Sequence, residues 1–127
     1  MLDAWKGPLV HLNHLNLTVD DVVEASSFLE TYFDLTPLEG APRTSRIRIL
    51  RDDAGCAVAL MHFPNDPPVA YPETFHIGFI QPDPGAVNAI HARLVADGFQ
   101  VEPPRRFHGS WTFYISAPGG VLIEVLA

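Results

Sequence analysis

Cysteine is almost missing from this sequence: Cys56 stands alone. One thiol closes no disulfide within the chain and offers no cysteine pair for a metal. Basic residues are also scarce, with 8 Lys and Arg against 15 Asp and Glu and a net charge of −7. A nucleic-acid partner needs a basic face, so that class is excluded. Arg105-Arg106, the only adjacent basic pair, suffices for nothing larger than a small anion. No apolar run approaches the roughly 20 residues that cross a bilayer. Met1 to Val10, with Asp3, Trp5, Lys6 and Pro8, lacks the apolar stretch of a secretory leader. These absences predict a cytoplasmic protein with neither membrane nor nucleic acid as a partner.

What is present is an ordinary globular composition, 47% hydrophobic and 18% charged over 127 residues. That length predicts one domain, able to bury a core without staples. The twelve prolines gather in loops. Pro64, Pro67, Pro68 and Pro72 mark a hinge at 64–73 between a first module at 10–63 and a second at 74–127.

Both modules follow the same order of elements. Leu12 to Val19 alternates as a strand does. Asp20 or Asp21 caps a helix carrying Val22, Ala25, Leu29 and Phe33 on one stripe, ending near Asp34. Strands follow around Leu38, at Ser45 to Arg51 and at Cys56 to Phe63, with Asp52-Asp53-Ala54-Gly55 as a hairpin turn. The pattern then recurs. Thr74 to Ile80 is a strand, and Pro84 to Asp97 a helix with Val87, Ile90 and Leu94 inward and Gly98 at its end. Further strands fall at Phe99 to Glu102, Trp111 to Ser116 and Val121 to Leu126. The predicted fold is α+β: two βαβββ modules forming a curved, cup-like mixed sheet with helices on the outside.

The repeat carries the chemistry. His14 and His76 each open the first strand of a module, and an aspartate, Asp21 or Asp83, follows seven residues later. Four residues beyond Gly55 and Gly120 stand Ala59 and Glu124. Strand parity puts both histidines and Glu124 on the face away from the helices. Two histidines and a glutamate at repeat-related positions can build one metal site across a pseudo-twofold axis. A carboxylate among Val121, Leu122, Ile123, Val125 and Leu126 is costly unless paired or coordinated, and a salt bridge to Arg46 or Arg48 is the plainer alternative. Tyr114 lies on the polar side of its strand, as a pocket phenol or as core. Arg105, Arg106, His108 and Ser110 fall in the proline-led stretch Pro103 to Ser110, either a solvated loop or an anion contact. Trp111, Phe107 and Met61 line an apolar ligand wall or pack in the core. His62, of opposite parity to Ala59, points away from the cup.

Three stretches resemble the vicinal oxygen chelate superfamily of glyoxalases, extradiol dioxygenases, fosfomycin-resistance enzymes and bleomycin-resistance proteins. They are His11-Leu12-Asn13-His14-Leu15-Asn16-Leu17-Thr18-Val19-Asp20, Thr74-Phe75-His76-Ile77-Gly78-Phe79, and Phe113 to Glu124 with Pro118-Gly119-Gly120 inside it. The resemblance implies metal ligands at His14, His76 and Glu124. Glyoxalase-type members place a fourth ligand, a glutamate, where this chain has Ala59, so the three-ligand branch is implied instead. Such a set suits Fe2+ or Mn2+, with Zn2+ or Ni2+ as further options. Tyr114 matches a tyrosine of the extradiol type, and His108 is the nearest candidate for a pocket histidine; both are expected as proton donors beside the metal. The implied function is a metal-dependent enzyme on a small oxygen-bearing organic substrate, dioxygenase-like or a lyase or isomerase. The alternative is a non-enzymatic, bleomycin-resistance-type binder of small molecules. The resemblance further implies a homodimer in which His14 of one chain meets His76 and Glu124 of the other, although pairing of the modules within one chain is the other arrangement.

Overall fold

The computed structural model describes residues 10–127. The reading of a leaderless amino terminus rests on residues 1–9, which lie outside that range. Module one runs β1 (His14–Thr18), α1 (Val22–Phe33), β2 (Thr36–Pro37), β3 (Ile47–Arg51) and β4 (Ala57–Met61). Module two runs β5 (His76–Ile80), α2 (Pro84–Ala96), β6 (Arg105–Phe107), β7 (Ser110–Ser116) and β8 (Leu122–Leu126). The order βαβββ therefore occurs twice, as the sequence predicts. Each module makes its own four-stranded sheet, in orders β1-β4-β3-β2 and β5-β8-β7-β6. The sheets are mixed: the first strand of each module runs parallel to the last, and the remaining pairs are antiparallel.

The repeated aspartates are helix caps. Asp21 accepts the backbone N–H of Glu24 at 3.0 Å, and Asp83 accepts that of Ala86 at 2.8 Å. Each satisfies one of the donors that the first turn leaves unpaired. A strand that ends in such a cap turns at once into the crossover helix, which returns the chain for a parallel pairing. In α2 the inward stripe is Val87, Ile90 and Leu94, as expected. In α1 it is Val22, Ala25, Phe28, Leu29 and Tyr32, while Phe33 is only half-buried and stacks on Phe79 at 4.7 Å.

The two modules share one core. Leu17, Val19, Leu50 and Leu60 of the first join Val87, Leu94, Ile123 and Val125 of the second. The helix sides meet: Phe99 packs edge-on against Phe28 and Tyr32, and the Tyr32 hydroxyl donates to Asp97 at 2.5 Å. Arg93 donates to the Thr31 carbonyl at 2.7 Å. With the helices turned towards the shared core, the opposite sheet faces stay open. His14, Asn16 and Thr18 are exposed on β1, and His76, Gly78 and Ile80 on β5.

One expected strand does not form. Phe99 to Glu102 is irregular, and β6 lies instead inside the stretch read as loop, Pro103 to Ser110. Phe99 is held by the core aromatics rather than by a neighbouring strand. The turn that closes β6 onto β7 uses His108 at φ 40° and Gly109 at φ 84°, a left-handed pair that suits a tight hairpin. β2 is also shifted, from the neighbourhood of Leu38 to Thr36–Pro37, where a proline is tolerated because the strand is at the sheet edge.

Candidate metal centre

Glu124 is the centre of a polar cluster in an apolar strand. It sits in the middle of β8 with only 5% of its surface exposed. In the sheet it lies between Gly78 of β5 and Tyr114 of β7. Thr112, fully buried on the same face of β7, donates its hydroxyl to Oε2 at 2.7 Å. His108 Nε2 stands 2.8 Å from Oε2, and His76 Nε2 stands 3.4 Å from Oε1. The partners of this carboxylate are thus histidines, and the alternative of a salt bridge to Arg46 or Arg48 is not realised. Burial by itself would raise the Glu124 carboxyl. Hydrogen bonds from Thr112 and Tyr114, with the charge and hydrogen bond of His108, outweigh burial and hold it below the usual carboxylate range.

The orientation of the histidine rings decides what they can bind. His76 Nδ1 is 2.9 Å from the carbonyl oxygen of Thr74. A carbonyl only accepts, so Nδ1 carries the hydrogen, and Nε2 of the neutral ring presents a lone pair. That lone pair faces Glu124 Oε1. Two electron-rich atoms in this relation are satisfied by a proton or by a metal cation. His14 has the same orientation: its Nδ1 is 2.9 Å from the side-chain oxygen of Asn13, which leaves Nε2 as the free donor. Metal-ligating histidines are commonly fixed in this way by an oxygen acceptor on the other nitrogen.

Within one chain the three candidate ligands do not converge. His76 and His108 grip opposite oxygens of Glu124 rather than a shared point. His14 stands on the exposed face of the other sheet, against Asn13. Among the described residues, no three His, Cys, Asp or Glu side chains group so as to hold a metal ion. A cleft of about 510 Å³ between the end of α1, β5 and α2 contains none of the three. The donor types of His14, His76 and Glu124 nevertheless fit a divalent metal: two imidazole Nε2 atoms, each with Nδ1 turned to an oxygen, and a carboxylate held below the usual carboxylate range.

The other predicted residues divide by face. Tyr114 lies beside Glu124 in register, and its hydroxyl is 3.2 Å from His108 Nε2. Burial first, then the Glu124 charge and hydrogen bond, push the Tyr114 phenol up, while Arg105 opposes them. Arg105 and Phe107 pair with Thr112 and Ser110, so both share the face of Glu124. Arg106 pairs with Trp111 on the opposite face, with its guanidinium 5.7 Å from the indole ring. Trp111 in turn donates to Asn88 on α2 at 2.8 Å. Arg106 and Trp111 therefore stand on the helix side, away from the cluster. Met61 lies on the open face of module one, where Asn16 donates to its sulfur at 3.0 Å. His62 is half-buried, with Nδ1 enclosed and unbonded, beside Asp20, Asp21 and Arg46. Sequence reasoning passed over Thr112 and the two histidine-fixing oxygens of Asn13 and Thr74. Thr112 had a signal: it shares the parity of Tyr114, two residues on.

The sequence model of the Glyoxalase/Bleomycin resistance protein/Dioxygenase superfamily matches residues 11–125. No curated protein matches the chain. Among solved structures, one described as a possible glyoxalase from Bacillus cereus is 46% identical, with 92% of this chain and 98% of that one covered and a TM-score of 0.82. A lactoylglutathione lyase from Agrobacterium tumefaciens is similar in fold at 21% identity, covering 95% of each chain, with a TM-score of 0.70. So is a mutant of the fosfomycin resistance protein FosX from Listeria monocytogenes, complexed with Mn(II) and 1S,2S-dihydroxypropylphosphonic acid. It is 21% identical, covers 94% of this chain and 93% of that one, and has a TM-score of 0.73. No helix among the described residues is long and apolar enough to cross a membrane. The chain belongs to the glyoxalase/bleomycin resistance protein/dioxygenase superfamily, the vicinal oxygen chelate group.

Proposed function

We propose that this protein is a cytoplasmic, metal-dependent enzyme acting on a small oxygen-bearing organic substrate, by a dioxygenase-like, lyase or isomerase reaction. The ligands are His76 and Glu124 of one chain and His14 of a second copy, in a homodimer with two such sites. The observation that carries this reading is the His76–Glu124 contact: with Nδ1 turned to the Thr74 carbonyl, Nε2 is aimed at a buried carboxylate oxygen at 3.4 Å. His14, fixed the same way but stranded on an open sheet face, supplies the reason for a second copy. β1 and β5 are edge strands with unpaired backbone groups, a surface that a neighbouring strand can cover.

His14, His76 and Glu124 would hold a divalent metal such as Fe2+ or Mn2+, which suits such a set of two histidines and a carboxylate. The metal supplies Lewis acidity and, in the case of iron, redox chemistry with dioxygen. The chain's own groups do the rest. Thr112 holds Oε2 of Glu124 and so aims the carboxylate. The raised Tyr114 phenol keeps its proton at neutral pH and is available as a donor to developing negative charge on the substrate. His108 Nε2, between Glu124 and Tyr114, moves a proton to or from the substrate when the carboxylate is engaged elsewhere.

Metal content of protein purified without chelator tests the reading, together with light scattering for its mass. About one equivalent of a transition metal per chain in a dimer is expected, and Glu124→Gln is expected to abolish it. Less than roughly a tenth of an equivalent, unchanged on reconstitution, would sink the metal site. A pure binder would keep its ligand affinity in His14→Ala; an enzyme of this kind loses turnover.

A further inference from the structure

The two open sheet faces have the same geometry and opposite chemistry. In module two, Thr112, Tyr114 and Glu124 lie across the middle of β7 and β8, with Tyr114 paired to Glu124 and Thr112 to Leu126. The register of module one puts Ile47, Ile49 and Ala59 at the matching places, with Ile49 paired to Ala59 and Ile47 to Met61. The positions of Thr112, Tyr114 and Glu124 are thus apolar in module one, while His76 keeps its counterpart in His14. Ile47, Ile49 and Met61 are half-buried and Ala59 is 7% exposed, so they form a continuous apolar strip on an otherwise accessible face. Nothing in module one covers that face, because its helix lies on the other side.

The arginines tell the second half. Arg43 is paired with Glu30 at 3.1 Å, and the charge of Arg48 also acts on Glu30. Arg93 is bound to Thr31 and lies over Tyr32, and Arg106 lies over Trp111. Arg105 differs by its place. Arg46 and Arg51 also lack a carboxylate partner among the described residues, but Arg105 is the arginine exposed on the Glu124 face, 4.3 Å from the Phe107 ring. Its charge reaches Tyr114. An unpaired guanidinium beside the site, in a chain of net charge −7, is a place for an anion.

We propose that the site takes an amphipathic organic anion, with its apolar body on the Ile47, Ile49, Ala59 and Met61 strip and its anionic end on Arg105. This rests on the exchanged dimer proposed above, since only there does the strip of one chain face the cluster of the other. The apolar strip excludes substrates that are polar throughout, which would leave their hydrogen-bonding groups unpaired against it. Arg105, in turn, selects the acid over its neutral analogue.

Calorimetric titration of the Mn(II)-loaded full chain tests the inference with three probes: 4-phenylbutyrate, butyrate and 4-phenylbutyramide. Metal content and mass by light scattering are measured on the same sample. The phenyl acid is expected to bind at least about tenfold more tightly than either of the others. Arg105→Gln, at an exposed position, is expected to abolish the preference for acid over amide and to keep the gain from the phenyl group. Ile49→Thr with Met61→Gln is expected to abolish that gain and keep the preference for acid. Equal binding of the three probes, or no binding, by a metal-loaded dimer overturns the substrate class and leaves the metal site standing. A monomer or a metal-free chain overturns the shared site, and this inference with it.

Discussion

Ala59 and Glu124 occupy one position in two copies of the same module. Ala59 pairs with Asn16 across β1 and β4, and Glu124 pairs with Gly78 across β5 and β8. The symmetry of backbone and register is kept, but the symmetry of chemistry is broken. A carboxylate at one place is buffered by Thr112 and two histidines; a methyl at the other lies against Ile49.

Restoring the symmetry is therefore informative. Ala59→Glu puts a carboxylate into a 7% exposed, apolar neighbourhood, which costs about 2 kcal/mol where no cation meets it. In a shared site the new carboxylate stands across the axis from Glu124 and adds an oxygen donor. The variant should melt lower than wild type without metal and regain most of the difference with it. Its metal should leave at least roughly tenfold more slowly in the presence of a chelator, as one more charged ligand implies. Identical melting with and without metal would show that Ala59 lies outside the metal's reach.

Gly119 holds the modules together by having no side chain. Its φ is 99°, and a Cβ there would stand 2.9 Å from Val19 Cβ and 3.3 Å from Ala25 Cβ. Its carbonyl accepts from Asp20 at 3.3 Å, so the backbone cannot retreat freely. Gly119→Ala should cost about 2–4 kcal/mol, as backbone strain and overpacking add. Gly55→Ala, at φ 88° with nothing within 4 Å, should cost about 1 kcal/mol. Urea unfolding of the two variants separates close packing from backbone strain; equal losses would remove the packing account.

Tyr32 and Asp97 join the two helices across the module boundary. The hydrogen bond to Asp97 comes first among the causes that raise the Tyr32 phenol, followed by burial. A folded-state value raised above the unfolded one contributes stability that is fully present below the ordinary tyrosine value. It is lost as pH rises through the raised value. Wild type should therefore lose stability above about pH 10, and Tyr32→Phe should lose less there, keeping only the part that the raised Tyr71 and Tyr114 phenols contribute. At neutral pH the variant should be about 1–2 kcal/mol less stable, with Asp97 then left to solvent. Parallel alkaline limbs in the two proteins would contradict this link.

The sequence made the repeat legible because caps and period are local. Asp21, Asp83 and the stripe Val87, Ile90, Leu94 follow from residues a few places apart. The β6 strand was hidden because Pro103 and Pro104 read as loop, and only pairing with β7 makes Arg105–Phe107 extended. In α1, Phe28 and Tyr32 outrank Phe33 because Phe99 of the other module fills the space against them. The face of Arg106 and Trp111 was equally illegible, since parity within β6 depends on register with β7. The role of Thr112 needed a neighbour twelve residues away, which no local pattern names.

The shared site makes a quantitative demand that no single variant makes. His14→Ala and Glu124→Gln each destroy both sites of a dimer when alone. In a mixed dimer of the proposed kind the two lesions fall in the same site, where His14 of one chain would serve Glu124 of the other. The remaining site then takes His14 from the Glu124→Gln chain and His76 with Glu124 from the His14→Ala chain. Statistical mixing makes about half the dimers mixed, with one of two sites intact, so about a quarter of wild-type metal and turnover should return. The two variants, unfolded together and refolded, should recover that fraction; refolded separately and then combined without exchange, they should recover none. Recovery of none in the co-refolded sample, with mixed dimers demonstrated by mass, would mean that each site is built from one chain.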